Sequence, residues 1–577
     1  MKPLLPALLL MMMTACGHRT TLQPPPETPQ LWCLMHSQVM DQGSLQTTLE
    51  QIERLHAAGY TGIAFWDVSF VYLTSAAWPD PEGRFLRKAM EHATAIGMKT
   101  LTLGPPFGYS NDLLSFNPNW AEGFHVSGTR FQVDASGRKL LQRNSFSGLR
   151  NGGFEEDPAD WHMNDRGVET DPAVSHSGFA SGTIRNPPGN ARFSQKLDVT
   201  PWRQYHVRLF VKASNYAGPP VTVEAFDSAS QKKIRFYQQT QISGSRDWTR
   251  LDAVFNSQDS TSVWLYFGVW GRARGTLWLD DVSVEETGLT GLIRRQGAPL
   301  RLYDPATGAA LQEGKDFDEI HDPGLTSNPQ DDYHTPPVIT VPAGSSLRPG
   351  QMVAADYYAA QPVDSINRRL GVCLTDPAVA EWLENNARKI LSIIPPDTGI
   401  FLQYDEMRQM NSCKSCRDKN MTAGQLLAWH TRESMERYRR LQPGQQRAFY
   451  VWNDMFDPYA NAVDNYYFVE GTLAGSVEGL PAEVIIMNWN LEHPRESLQW
   501  FAGGDRRQPV AHRQIIAGYY DTHNGAAAAT RELQDAQGIP GIDGLMYTTW
   551  ENDYTQLESF AEAARQGWRG YRSSVIR

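Results

Sequence analysis

The sequence predicts an α/β chain built on a (β/α)8 TIM barrel that is interrupted by an inserted β-sandwich of jelly-roll-like form. Three observations carry this prediction. Short apolar, β-rich runs alternate with amphipathic helical stretches at both ends of the chain, the pattern of parallel βαβ units. The alternation stops after residue 103 and resumes with a helix at residue 379. Between these points, residues 148–287 lose the helical period and show short alternating strands.

The elements follow in order. Strand one is expected at residues 31–36, with a helix through 45–58; strand two at 62–66, with a helix through 85–96; and strand three at 100–103. After the interruption a helix through 379–394 leads into strand four at 400–404, and a helix through 426–440 into strand five at 448–451. Strand six at 484–487, a helix at 497–501, strand seven at 514–518, a helix through 526–536, strand eight at 544–547 and a last helix through 557–564 complete the set. Eight strands are what a closed barrel needs. Residues 31–147 and 359–577 are therefore assigned to the barrel, 148–287 to the sandwich, and 288–358 to a further small β-rich unit. Typical sandwich strands are Tyr205-His206-Val207-Arg208-Leu209-Phe210-Val211 and Ser262-Val263-Trp264-Leu265-Tyr266-Phe267.

At the N-terminus Lys2 precedes an apolar run over residues 4–13 that is too short to span a bilayer and reads as a signal peptide. Its end, Met13-Thr14-Ala15-Cys16-Gly17, resembles the bacterial lipobox. That resemblance implies cleavage after residue 15, acylation of Cys16, a Pro-rich tether over residues 16–30, and a membrane as one partner. Gly17 offers no inner-membrane retention signal, so the outer membrane is the expected address. The formal charge of −11 arises from 53 basic and 64 acidic residues. No Lys/Arg block is long enough to track a phosphate backbone, which excludes nucleic acid as a partner. Seventeen Trp residues suit a protein that stacks sugar rings, although core packing accounts for most of them.

Beyond Cys16, four cysteines remain: Cys33, Cys373, Cys413 and Cys416. An oxidising compartment permits disulfides among them. Cys413-Lys414-Ser415-Cys416 has the spacing of half a zinc site, but neither a second such pair nor paired His completes it. A loop-bracing or free pair is the expectation.

The sandwich opens with Asn151-Gly152-Gly153-Phe154-Glu155 and closes with Leu277-Trp278-Leu279-Asp280-Asp281-Val282-Ser283-Val284. Together these ends resemble the CenC-type carbohydrate-binding modules. The resemblance implies a glycan-binding module and a structural calcium, with Glu155 and Asp281 as oxygen donors. Ordinary surface acids are the alternative for both residues.

Barrel enzymes carry their working groups at the C-terminal ends of the strands. Here those ends hold His36, Trp66, Asp67, Asp405, Glu406, Trp452, Asp454, Trp489, Tyr519, Tyr520, Trp550 and Glu551. The strongest feature is Tyr404-Asp405-Glu406-Met407-Arg408. Glycosidic cleavage needs a protonated carboxyl beside the leaving oxygen and a group that stabilises an oxocarbenium-like centre, and two adjacent carboxyls can divide these roles. Neighbours in a regular strand face opposite sides, so Asp405 is expected in the lumen and Glu406 over the rim as general acid. The remaining rim residues are the expected substrate contacts. Each has a structural alternative: an Asp405–Arg408 ion pair, Trp452 and Trp489 as lids on the core, rim hydrogen bonds for His36 and Asp67, loop support for Glu551.

An Asp-Glu pair ending strand four, with Trp at later strand ends, resembles the glycoside hydrolase family 20 β-N-acetylhexosaminidases. The resemblance implies substrate-assisted, retaining catalysis without a cofactor. Asp405 would orient the 2-acetamido group, Glu406 would protonate the leaving oxygen, and Tyr519 or Tyr520 would support the acetamido carbonyl. In place of that family's His-x-Gly-Gly stands Phe401-Leu402-Gln403-Tyr404. A two-carboxylate glycosidase on acetamido-free sugars, with Asp454, Asp521 or Glu551 as second carboxylate, is the alternative, as is a glycan-binding lipoprotein without activity. Neither a GxSxG elbow nor an HExxH pair supports an esterase or deacetylase.

Overall fold

A computed structural model describes residues 22–144, 146, 148–156, 158–230, 233–240, 242–363, 368–505, 510–521 and 524–576. The leader, Cys16 and the start of the tether lie outside the described residues. No helix among the described residues is long and apolar enough to cross a membrane.

Eight parallel strands close into a barrel in sequence order. Strand one is Gln30–Ser37, two Gly62–Asp67, three Lys99–Leu103, four Gly399–Phe401, five Phe449–Trp452, six Ile485–Asn488, seven Gln514–Ala517 and eight Ile542–Tyr547. Strand eight pairs with strand one from Gln30 opposite Gly544 to Cys33 opposite Tyr547. Strands three and four lie side by side, Leu101 opposite Gly399, so the long insertion leaves and returns at one seam.

Helices Gln42–Ala57, Arg84–Ala95, Pro377–Ile393, Ala423–Leu441, Pro494–Phe501, Gly525–Asp535 and Leu557–Ile576 accompany the strands. Their starts are written into the sequence. Asp41 with Ser44 and Thr422 with Gln425 form capping boxes, and Asp376 caps a helix whose first residue is Pro377. Strands five and six are joined instead by 3₁₀ turns at Asp454–Phe456 and Ser476–Gly479.

The period-two alternation of strand side chains divides the barrel into two cores. Trp32, Leu34, Ala64, Leu101, Phe401, Tyr450, Trp452, Ile485, Met487, Ile515, Ala517 and Met546 fill the lumen. Leu31, Cys33, Ile63, Phe65, Val451, Ile486, Ile516 and Leu545 belong to the separate outer core with the helices. The same parity, carried past the strand ends, sorts the rim residues. His36 follows Leu34, Trp66 follows Ala64, Trp489 follows Met487, and Tyr519 follows Ala517. Asp67 and Tyr520 fall on the opposite parity and point into the outer core.

The insertion is nested. Residues 124–142, assigned to the barrel from the sequence, form strands Phe124–Val133 and Lys139–Gln142 of a five-stranded antiparallel sheet. Their partners are Met352–Ala359 and Ile339–Thr340, and Arg301–Tyr303 lies at the far edge. The small β-rich unit is thus built from both flanks of the sandwich: the first two strands pair with each other as a hairpin, and long-range pairing gives each its second neighbour. Two further antiparallel sheets form the sandwich region: a four-stranded one, Lys233–Thr240, Val221–Asp227, Ser262–Val269 and Ala191–Asp198, and a five-stranded one centred on Gln204–Ala217 and Arg274–Thr287. Their facing side chains make a core of their own. Tyr357 of the small sheet donates to Gln204 Oε1 of the sandwich at 2.6 Å, which locks the two together.

Tyr520 is buried against Tyr547 and Phe560, and its hydroxyl donates to Glu532 Oε2 at 2.8 Å. Burial raises the Glu532 carboxyl to about 7. Tyr520→Phe leaves that carboxyl facing a hole where a donor stood, and should cost about 1–3 kcal/mol in denaturant unfolding, whereas Tyr519→Phe should cost almost nothing. Equal effects of the two substitutions would contradict the parity assignment.

Candidate active site

The chain leaves strand four earlier than its sequence suggests. Leu402 still donates to Tyr450 O at 2.8 Å, but Gln403, Tyr404 and Glu406 have φ of 63°, 64° and 44°, in the left-handed region. Such residues cost of order 1–3 kcal/mol each and persist only where their surroundings fix them. Trp452 N donates to Gln403 O at 3.0 Å. Tyr404 is fully buried, its hydroxyl 2.8 Å from His430 Nδ1 and 2.9 Å from Ser434 Oγ. Glu406 N donates to Asp454 Oδ2 at 2.8 Å. On the facing loop a Cβ on Gly108 would stand 1.7 Å from Asp405 O, so only glycine lets the two loops approach. The consequence is functional: with the pleat broken, the adjacent carboxylates of Asp405 and Glu406 line the same pocket rather than opposite faces.

Their electrostatic settings differ. Glu406 accepts from Arg369 Nη1 at 3.0 Å on Oε2 and from Arg408 Nη2 at 2.9 Å on Oε1, and Tyr109 OH also donates to Oε2. Arg369 lies over the Tyr109 ring, 3.5 Å from its centroid. Two guanidiniums therefore hold the two oxygens of Glu406. Asp405 is raised well above the usual carboxylate range, first by burial and then by the charges of Asp454 and Glu406. Its Oδ1 is buried without a hydrogen-bond partner. Asp454 is pushed up to about 7, chiefly by burial. Both of its oxygens are occupied, Oδ2 by Glu406 N and by Asn461 Nδ2 at 2.7 Å, and Oδ1 by Trp489 Nε1 at 3.3 Å.

Two cavities meet here. A pocket of about 140 Å³ is lined by Asp405, Glu406, Tyr109, Trp452, Trp489, Tyr519, Thr548 and Trp550 among others. A cleft of about 1000 Å³ runs past His36, Trp66, Pro106, Asp112 and Arg369. Asp405, Tyr109 and Trp550 belong to both linings, so they mark the junction. Trp66 and Trp550 meet edge to face at 5.0 Å, with His36 at 6.0 Å and 5.9 Å from the two rings. Trp550 is 43% exposed, which leaves an aromatic face open to a ligand. Trp452 Nε1 is buried without a partner in the pocket wall. Burial lowers the His36 pKa, and its Nε2 stands 2.7 Å from Thr549 O, which assigns the ring as neutral with its proton on Nε2.

Several expected contacts stand elsewhere. Asp67 is fully buried, accepting from Ser37 Oγ, Val39 N and Ser69 N at 2.8–3.0 Å, and braces the loop after strand one. Tyr520 supports the outer core, as described above. Glu551 is exposed and outside both linings; only its backbone N reaches Asp521, whose carboxylate also takes Trp550 N at 2.7 Å. Asp454 lies behind the pocket and lines a neighbouring cavity. Conversely Tyr109 and Arg369 organise the site although neither stands among the expected contacts. Asp521, expected as a candidate second carboxylate, instead holds the loop after strand eight through Thr549 Oγ1 and Trp550 N.

In the sandwich, Glu155 accepts from Phe179 N at 2.7 and 2.9 Å, and Asp281 accepts from Ser177 Oγ at 2.7 Å with His176 Nδ1 at 2.5 Å. Calcium requires six to eight oxygen ligands. Both carboxylates have protein hydrogen-bond partners in this structure.

No family model and no curated protein matches the chain. Among solved structures, similar chains include CBM4 (20% identity, 24% of this chain and 99% of that one, TM-score 0.20). Others are TmCBM61 in complex with β-1,4-galactotriose (18%, 25% and 100%, TM-score 0.20) and the CBM22-1 xylan-binding domain from Paenibacillus barcinonensis Xyn10C (18%, 25% and 97%, TM-score 0.21). These neighbours are carbohydrate-binding modules.

Asp454 yields a pH test. Its folded pKa of about 7 lies above the ordinary value of 3.8, so the folded state holds the proton more tightly. Stability from this group is full below pH 4 and is lost as the pH rises through 7. The Asp454→Asn variant should therefore gain on the parent in urea midpoint between pH 5 and pH 8. A constant difference across that range would contradict the assignment.

Proposed function

We propose that the chain is a glycoside hydrolase that seats one sugar ring in the Trp-walled pocket and cleaves its bond to the rest of a glycan lying in the cleft. The observation that carries this reading is the position of Asp405, shared by the small pocket and the large cleft. A glycosidic oxygen linking a ring in one to a chain in the other would lie at that junction. Burial and two neighbouring carboxylates favour a proton on Asp405, whose Oδ1 has no hydrogen-bond partner. Glu406 lines the ring pocket, paired with Arg369 and Arg408.

In this reading Asp405 protonates the departing oxygen while Glu406 faces the carbon that becomes positive. Water then completes the exchange, giving its proton to Asp405 and its hydroxyl to the sugar. The roles are the reverse of those implied by the family 20 resemblance, because the guanidiniums sit on Glu406 and the desolvation falls on Asp405. Substrate-assisted cleavage of a 2-acetamido sugar is the second reading, favoured by Tyr519, whose side chain borders the same pocket.

The sandwich would hold the glycan near the barrel. On the outer face of its four-stranded sheet, Trp264, Tyr266 and Phe226 are half-buried, with ring centroids 6.3 Å and 5.7 Å apart, and Arg192 lies 5.5 Å from the Tyr266 ring. Alternation places this row opposite the core residues Val263, Leu265 and Phe267. Attachment through an acylated Cys16 would keep the enzyme at the cell envelope, where poly- or oligosaccharide is at hand.

Aryl glycosides with and without the 2-acetamido group, supplied to the parent, Asp405→Asn and Glu406→Gln, test this function. Turnover by the parent should fall about 10²–10⁴-fold in kcat/KM in Glu406→Gln, and as far in Asp405→Asn only on glycosides whose leaving group is unactivated. Restriction to acetamido substrates would select the substrate-assisted form. Absence of turnover across a broad glycan panel, with glycan binding retained, would overturn the hydrolase and leave a binding protein.

A further inference from the structure

Below the active-site loop, away from both cavities, the fold gathers four potential metal ligands that are distant in sequence. The Sγ atoms of Cys373, Cys413 and Cys416 and a carboxylate oxygen of Glu122 all lie within 4.8 Å of one another. Every one of these side chains is buried, Glu122 at 1% exposure and the cysteines at 0%. All three cysteines are free thiols. From this geometry we infer that Glu122, Cys373, Cys413 and Cys416 form a structural zinc site.

The distances suit a tetrahedron. Zn–S bonds of about 2.3 Å and Zn–O bonds of about 2.0–2.2 Å imply ligand–ligand edges of about 3.5–3.8 Å. The edges found are 3.4 Å for Cys373–Cys413, 3.6 Å for Cys373–Cys416 and 3.4 Å from Cys416 Sγ to Glu122 Oε2. Glu122 is held in a ligating orientation, since its Oε1 accepts from Ser412 N at 2.6 Å and Cys413 N at 2.7 Å, which turns Oε2 toward the thiols. Cys413 caps the short helix Lys414–Arg417 that carries Cys416, a knuckle that presents both sulfurs to one point.

The surroundings complete a second shell. Ser415 Oγ stands 3.3 Å from Cys373 Sγ and 3.2 Å from Cys413 Sγ, and Thr375 Oγ1 stands 3.3 Å from Cys416 Sγ. Three thiolates and a carboxylate leave a zinc site with two excess negative charges. The buried guanidinium of Arg295, 3.3 Å from Ser415 Oγ and also 3.3 Å from Asp376 Oδ2, offsets part of that charge. Four protein ligands leave no position for substrate, so the metal would be structural. It would tie the outgoing chain at Glu122 and the returning chain at Cys373 to the loop that begins at the Asp405–Glu406 turn.

The competing fate of three adjacent thiols in an oxidising compartment is a disulfide between two of them. Elemental analysis of the full chain, purified without added metal, decides between the two, together with thiol titration in denaturant before and after reductant. About one zinc per chain, with the same thiol count before and after reductant, is the expected result. The Cys413→Ser/Cys416→Ser variant should lose zinc at least tenfold. Should that variant fail to fold, exchange of the parent into cobalt should give a thiolate-to-metal charge-transfer band. Absence of metal, whether thiols appear only after reduction or are free throughout, would overturn the site, as would a cobalt spectrum without thiolate character.

Discussion

Gln403, Tyr404 and Glu406 leave strand four in left-handed backbone, and the chemistry of the barrel mouth follows from that turn. A continued strand would send Asp405 and Glu406 to opposite faces. The turn brings both to one pocket, at a conformational cost that the barrel offsets with buried contacts on each residue in sequence. Strand five takes the carbonyl of Gln403, the helix Ala423–Leu441 takes the Tyr404 hydroxyl, and Asp454 takes the Glu406 amide. Gly108 on the opposite loop approaches so closely that any side chain there would press on Asp405. The turn is thus fixed by strands three, four and five together, which accounts for its survival without a glycine of its own.

Charge placement depends on the same turn. Three carboxylates share a small buried volume, and the two guanidiniums form ion pairs with Glu406. Glu406 takes both, so the repulsion and the desolvation fall on Asp405 and Asp454. Arg369 comes from the chain returning out of the insertion and stacks on Tyr109, which precedes it. The inserted sheets are therefore coupled to the pocket: the segment that leads back from them supplies half of the positive charge that holds Glu406.

Much of this was legible in sequence. The alternation of apolar runs located all eight barrel strands to within three residues, because buried parallel strands advertise themselves as short β-branched runs. Strand four ended early because three non-glycine residues in left-handed backbone carry no sequence signature. Period-two parity separates Trp66 from Asp67 and Tyr519 from Tyr520 once the strand register is known, a distinction the sequence reading did not make. Tyr109 and Arg369 were hidden for another reason: they belong to loops whose partners lie hundreds of residues away. The same distance concealed the sheet of the strands at 124–142, whose outer neighbours lie beyond the sandwich, and the companions of Cys413 and Cys416, which are Cys373 and Glu122 rather than a second Cys pair.

The central claim is that Asp405 delivers the proton and Glu406 the negative charge. Leaving-group dependence in the Asp405→Asn variant tests it most directly, since an activated aryl leaving group needs little protonation and an alkyl or sugar leaving group needs much. The account predicts that this variant keeps most of its activity on the activated glycoside and loses it on the unactivated one, while Glu406→Gln loses both. The opposite pattern, with Glu406→Gln spared on the activated substrate, would contradict it and return the acid's role to Glu406.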